Sequence, residues 1–279
     1  MRLPGGHRRY RYVRLVSIAG LIVMGAAASG AHASELRHEP ATGVLASVAV
    51  PASWQAQYDP FADSVVMLEP ERNQVILFSW FAMDPSVAIR NLLAELGAAN
   101  YAGSIRAVQF AGLTGAEIRI ETGTGTNDWF LALERDGILF GVWAKTVGSF
   151  DSLSPVLARI VTETKIAPAV WPPLVSGTYQ TSSTYSGGTS GSLLGEQFIT
   201  LLADGTVRSR SAIMGGNAGV SVLGQGSTEG SRWEVRGDRL LIVTAGGDGT
   251  SRRLAGVYSN GLSFHGSTQN DRLEHWVRQ

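Results

Sequence analysis

The chain contains no cysteine. That excludes disulfides, thiolate metal sites, thiol catalysis and a lipid-anchoring cysteine, so any folded body must stand on packing alone. Lysine is almost missing as well, with only Lys145 and Lys165. Neither follows a glycine loop, whereas the loop that cradles phosphates in nucleotide hydrolases needs glycines, a lysine and a hydroxyl at fixed spacing. Gly123-Thr124-Gly125 lacks the third glycine and the following helix of a dinucleotide loop. The Gly-x-Ser-x-Gly serine elbow is absent too. Past residue 33, no apolar run is long enough to span a bilayer.

What the chain does have begins at its N-terminus. Arg2, Arg8, Arg9, Arg11 and Arg14 form a basic head without an acidic residue, Leu15 to Ala28 is apolar, and Ala31-His32-Ala33 has the small-x-small form of a cleavage site. That order is a secretory signal, expected over residues 1–33. The apolar run is shorter than the roughly 18–20 residues of a membrane span, which favours a cleaved leader over an anchor. Arg8-Arg9 lacks the usual twin-arginine flanks, so general secretion to the periplasm or the exterior is the expected route.

Five of the 23 basic residues lie in this leader, leaving 18 against 23 acids and a mature net charge of −5. Nucleic acid and anionic lipid both demand clustered positive charge, so neither is an expected partner. The best basic group, Arg210, Arg232, Arg236 and Arg239, is interrupted by acids and reads as a solvated strand face.

Three prolines within Ala167-Pro168-Ala169-Val170-Trp171-Pro172-Pro173 break every regular pattern and mark a linker over 168–174. Before it, strands are expected at Val44–Val50, Asp63–Leu68 and Gln74–Phe81. A helix follows, capped by Asp84 with Pro85 in its first turn, where a missing donor costs nothing. Ile89, Leu92, Leu93 and Leu96 share one face of it, and Gly97 suits its end. Ala116, Ile118 and Ile120 alternate with Glu117, Arg119 and Glu121, the pattern of a strand wet on one side. Asp136-Gly137 between two β-rich runs signals a tight hairpin, and a second helix is expected from about Ser152 to Glu163. The fold class predicted for residues 34–167 is an α+β antiparallel sheet sandwich with two helices.

Residues 175–279 read as all-β, with turn signals at Asp204-Gly205, Gly237-Asp238, Gly246-Gly247-Asp248-Gly249, Asn260-Gly261 and Asn270-Asp271. Short strands at this rhythm predict a small barrel, since closure removes exposed sheet edges. Two low-complexity segments, Ser182–Ser192 and Gly215–Gly230, are expected as mobile loops that could act as lids.

Both halves resemble known families. Val50-Pro51-Ala52-Ser53-Trp54, the Asp84 helix, Gly115-Ala116-Glu117-Ile118-Arg119-Ile120 and the Asp136-Gly137 hairpin together look like the PsbP-like fold over about 40–167. That resemblance implies an exported domain without enzymatic activity and carries over no binding residue. Gly177-Thr178-Tyr179, Leu202-Ala203-Asp204-Gly205-Thr206 and Trp233-Glu234-Val235 ahead of Gly237-Asp238-Arg239-Leu240 are similar to small lipocalin-like barrel domains. Tyr179 stands where those families carry tryptophan. The resemblance implies a calyx, and an arginine late in the barrel, here Arg278, that covers its closed end.

Chemistry-bearing residues are few. His265 and His275 lie near the ends of neighbouring predicted strands, and with Glu274 or Asp271 they are the weak candidates for a metal or acid–base site. His38 falls in a polar N-terminal stub. Asp128, Glu134 and Asp136 gather around a hairpin, where acids suit turns, and Asp248 alone among glycines supplies too few oxygens for calcium. Alternation puts Trp129 with Leu131 and Leu133, and sets Trp143 on the face opposite Phe140 and Val142. Trp129, Trp143, Tyr179, Trp233 and Trp276 are therefore the candidate ligand or partner contacts. The expected function is a non-catalytic exported binding or adaptor protein without a cofactor, acting on an unknown protein partner. A carrier of a small apolar ligand in the barrel is the alternative, and a weak metal-dependent enzyme the third.

Overall fold

A computed structural model describes residues 35–279, apart from 71, 81–83, 122, 124, 187–191, 216–220, 225–229, 244–248 and 266–272. The expected leader, Asp248 and the Asn270-Asp271 turn lie outside the described residues. The chain divides into two compact units, Met1–Ala167 and Pro168–Gln279.

The first unit is antiparallel β with two helices. In chain order it runs β1 (Leu36–Pro40), β2 (Leu45–Pro51), β3 (Gln55–Asp59), β4 (Ser64–Glu69), β5 (Asn73–Trp80) and α1 (Pro85–Glu95). It continues with β6 (Arg106–Phe110), β7 (Leu113–Glu121), β8 (Asn127–Arg135), β9 (Ile138–Thr146), α2 (Phe150–Glu163) and β10 (Lys165–Ile166). A seven-stranded sheet is ordered β3-β4-β5-β9-β8-β7-β6, and a small one β1-β2-β10.

Local chemistry sets the boundaries. The Asp84 carboxylate accepts from the Ser86 and Val87 amides at the start of α1, and Gly97 takes the left-handed conformation just past its end. Asp136 and Gly137 both have positive φ and join β8 to β9 by a two-residue turn.

Each face of the large sheet is covered. On one lie β2 and α2, burying Trp129, Leu131, Phe140 and Val142 against Leu153 and Leu157. On the other, α1 packs over β7 and β8, burying Ile89, Leu93, Ile118 and Phe130 in one cluster with Trp143. This double cover corrects one expectation, and the β1–β2 pairing corrects another. Glu117 is not wet but 2% exposed, because the face it shares with Trp129 is a core face. His38 is not in a stub but in β1, paired with Ala49.

The second unit contains β11 (Gly177–Ser186), β12 (Ser192–Leu201), β13 (Val207–Gly215), β14 (Ser221–Gly224) and β15 (Arg232–Arg236). Then come β16 (Arg239–Val243), β17 (Gly249–Tyr258), β18 (Gly261–Phe264) and β19 (Glu274–Arg278). The sheet order is β14-β13-β12-β11-β19-β18-β17-β16-β15. Thr206, just before β13, bridges Arg232 at the start of β15, and the Trp233 amide donates to the Gly205 carbonyl at 2.8 Å. Those links bring the sheet round into a nearly closed antiparallel barrel of eight strands, with β14 as an extension beside β13.

The low-complexity segment at 182–192 is not a loop throughout: β11 and β12 pair from Gly177↔Leu201 to Ser186↔Ser192. β14, inside the glycine-rich stretch, likewise pairs with β13. Threonine, tyrosine and serine suit a strand when a ladder is available, so composition alone misreads them. The proline-rich stretch is attached to the barrel: Val170 and Val235 exchange both backbone hydrogen bonds at 2.9 Å, and the Trp171 indole donates to the Trp233 carbonyl at 2.7 Å.

Candidate functional site

The five aromatics expected to offer a contact surface are all buried. Strand alternation does set Trp129 and Trp143 on opposite faces, but with both faces covered neither presents a ring to solvent. Their polar ends are satisfied inside, as buried indoles require. Trp129 Nε1–H donates to Glu117 Oε2 at 2.8 Å, and Trp143 Nε1–H donates to Asp128 Oδ1 at 2.8 Å. Tyr179, Trp233 and Trp276 lie instead in the barrel core with Phe264, Leu201 and Leu262.

The carboxylate group around the β8–β9 hairpin is structural. Asp128 holds Trp143 and lies 3.7 Å from Lys145, Asp136 occupies the turn beside Arg135, and Glu134 is exposed. Among the described residues neither histidine is paired with an acid. His275 Nδ1 is 2.8 Å from the Ser263 hydroxyl, whereas its neighbour Glu274 projects to the opposite side of the strand. Asp271 lies outside the described residues. Among the described residues no group of three or more histidine, aspartate or glutamate side chains could hold a metal. Of the basic group, Arg236 pairs with Glu234 and Arg239 lies beside Asp238, both arginines being buried. The side chain of Arg210 is not among those described.

Arg278 lies against the segment that leads into β11. Its Nη2 donates to the Leu174 carbonyl, to the Ser176 carbonyl at 3.2 Å and to the Tyr179 hydroxyl at 2.9 Å. The Tyr179 hydroxyl in turn donates to the Val175 carbonyl at 2.6 Å. In the same core Phe264 and Trp276 meet edge to face, their centroids 4.8 Å apart.

The barrel interior also contains a charged pair. Arg252 is registered opposite Leu240, and Glu274 opposite Phe264, both partners being core residues. Arg252 Nη1 donates to Glu274 Oε2, and Trp276 Nε1–H donates to Glu274 Oε1 at 3.0 Å. The guanidinium carbon of Arg252 stands 5.2 Å from the Trp276 ring centroid and 5.8 Å from that of Phe264. Yet the Arg252 and Glu274 side chains are 37% and 42% exposed. Both side chains therefore meet water where β18 ends and β19 begins, beside the Phe264 and Trp276 rings.

In the first unit a shallow groove of about 300 Å³ runs along the terminal strand β3, lined by Gln55, Ala56, Gln57, Val66 and Leu68. Sequence reasoning missed it, together with β3 itself, because the alternation there is only Ala56 and Tyr58 among polar neighbours, too short and weak to read as a strand. It missed Arg252 as well, and named Glu274 only as a companion of the two histidines. A charge on a short strand reads as outward until the register is known.

Among the described residues two carboxyls depart from their usual titration. Asp204 is lowered, first by the Thr206 amide that donates to it at 2.8 Å in the β12–β13 turn, and Glu95 is raised by desolvation at the end of α1. Neither lies in a concavity with an acid–base partner. No described helix is long and apolar enough to cross a membrane.

No known protein family, curated protein or solved structure matches this chain.

Proposed function

We propose that this is an exported, non-catalytic binding and adaptor protein of the bacterial envelope. Its first half is a PsbP-like body and its second a lipocalin-like barrel that holds a small ligand. The observation that carries the reading is the barrel's construction. Arg278 holds the Tyr179 hydroxyl and the aromatic residues fill the core, while Arg252 and Glu274, inside the same barrel, stay in contact with water. A barrel whose only task is to be a rigid spacer would be filled by its own side chains. The leader supports export to the periplasm or beyond. The groove along β3 supports a docking role for the first half, because a terminal strand offers backbone donors and acceptors to an extended segment of a protein partner.

Native mass spectrometry of the chain purified from its own envelope tests the ligand reading. The expected result is a discrete added mass that is lost on unfolding. A bare chain, with no change in tryptophan fluorescence on adding envelope small-molecule extract, overturns it.

A further inference from the structure

We infer that the barrel is a site for a small organic acid, whose carboxylate is taken by Arg252. The inference rests on the barrel being a ligand-holding calyx, and it names the chemistry of what is held.

Three observations converge on Arg252. The first is position. The residue is inside, registered against Leu240, with its guanidinium lying over Trp276 and Phe264. The second is accessibility, since 37% of the side chain still meets solvent while both rings beneath it are buried.

The third is hydrogen bonding. A guanidinium has five N–H donors in a fixed planar fork. Arg252 gives one nitrogen, Nη1, to Glu274. Glu274 is occupied at both oxygens, by Arg252 and by the Trp276 indole, so it is a fixed anchor rather than a free acid. The Nε and Nη2 donors of Arg252 meet no described acceptor. Two parallel N–H groups on one edge of a guanidinium match the two oxygens of a carboxylate. A lysine at this place would offer a point charge without that edge.

Charge balance agrees. Arg278, where the chain enters β11, donates only to two backbone carbonyls and the Tyr179 hydroxyl. The described interior therefore holds two guanidinium cations against one carboxylate, an excess that favours an anion. A wholly apolar ligand fits less well. It would cover Arg252 and Glu274 and strip their water without offering a polar group in return. An acid with an apolar body answers both features, placing its oxygens on the free edge of Arg252 and its body beside the Trp276 and Phe264 rings.

Calorimetric titration of the full chain with octanoate and with 1-octanol tests this, with tryptophan fluorescence as a second readout. Octanoate is expected to bind at least tenfold more tightly than octanol, and to weaken as sodium chloride is raised. Arg252→Gln should reduce octanoate to the level of octanol while leaving octanol unchanged. Glu274→Gln, which removes the neighbouring negative charge, should tighten octanoate severalfold. It keeps the test decisive even if the arginine variant folds poorly. Equal binding of acid and alcohol, indifferent to both substitutions, overturns the acid assignment and leaves the calyx standing. If neither compound produces heat or a fluorescence change, the calyx reading falls with it.

Discussion

The Asp63 carboxylate receives the Val44 amide at 2.9 Å, tying the turn before β4 to the loop that opens β2. The same carboxylate accepts from the Tyr58 hydroxyl at 3.1 Å and from the Ser79 hydroxyl at 3.0 Å, so three separate segments converge on one buried acid. Asp63 holds a positive φ of 49°, which aspartate tolerates better than most residues. Replacing it by alanine orphans a buried backbone donor, and should cost about 3 kcal/mol in urea unfolding.

Gly43 is coupled to that acid. A Cβ built there falls 1.8 Å from Asp63 Oδ1, so Gly43→Ala must push the carboxylate off its donors. We expect Gly43→Ala to destabilise by about 2 kcal/mol. In the Asp63→Ala background that cost should shrink to a few tenths of a kcal/mol, because the obstacle has gone. A double-mutant cycle of urea midpoints measures the coupling. Additive costs would show that the two residues act apart.

Much of this architecture is legible in the sequence, and the reason differs from place to place. Asp84-Pro85, Asp136-Gly137 and the Leu153/Leu157 spacing are local signals whose meaning does not depend on the rest of the chain, and each gives the element it announces. Arg278 is singled out by resemblance, and in the structure it holds the Leu174 and Ser176 carbonyls and the Tyr179 hydroxyl. Glu117 is not legible, because alternation tells which residues share a face and not what later covers that face. The same blindness turned Trp129 and Trp143 into contact candidates. Arg252 fails for a related reason. Its inward direction follows only from the β16–β17 register, which is set by pairings residues away.

Glu117 shows what a covered face does to a charge. It accepts the Trp129 indole at 2.8 Å and lies 2.6 Å from the Arg106 guanidinium and 3.4 Å from that of Arg119. Arg119 in turn stands 4.2 Å from the Trp129 ring centroid. Removing the carboxylate leaves a buried N–H and two cations without their partner, and Glu117→Ala should cost about 3–4 kcal/mol. Glu117→Gln keeps an acceptor for the indole and should cost about half as much. Arg119→Ala, a partly exposed cation, should fall below about 1 kcal/mol. Chemical denaturation followed at the Trp129 fluorescence ranks the three. If Glu117→Gln proves as costly as Glu117→Ala, charge rather than the indole bond holds the cluster.

Arg278 and Tyr179 act as a unit where the chain enters β11. The guanidinium carbon is 5.5 Å from the tyrosine ring centroid, and the hydroxyl both accepts from Arg278 and donates to Val175. Arg278 also holds the Leu174 and Ser176 carbonyls, and so fixes the chain entering β11. Arg278→Ala should lower stability by about 2 kcal/mol and speed amide exchange from Val175 to Tyr179. Tyr179→Phe keeps the ring in the core and loses only the hydroxyl, so about 1 kcal/mol is expected. Arg278→Lys should behave almost as the alanine variant does, because all three contacts are made by the terminal Nη2 and the shorter lysine side chain places its ammonium short of that position. Hydrogen exchange read by mass spectrometry separates these outcomes. Restoration of full protection by lysine would mean that charge alone, without the guanidinium geometry, holds this segment.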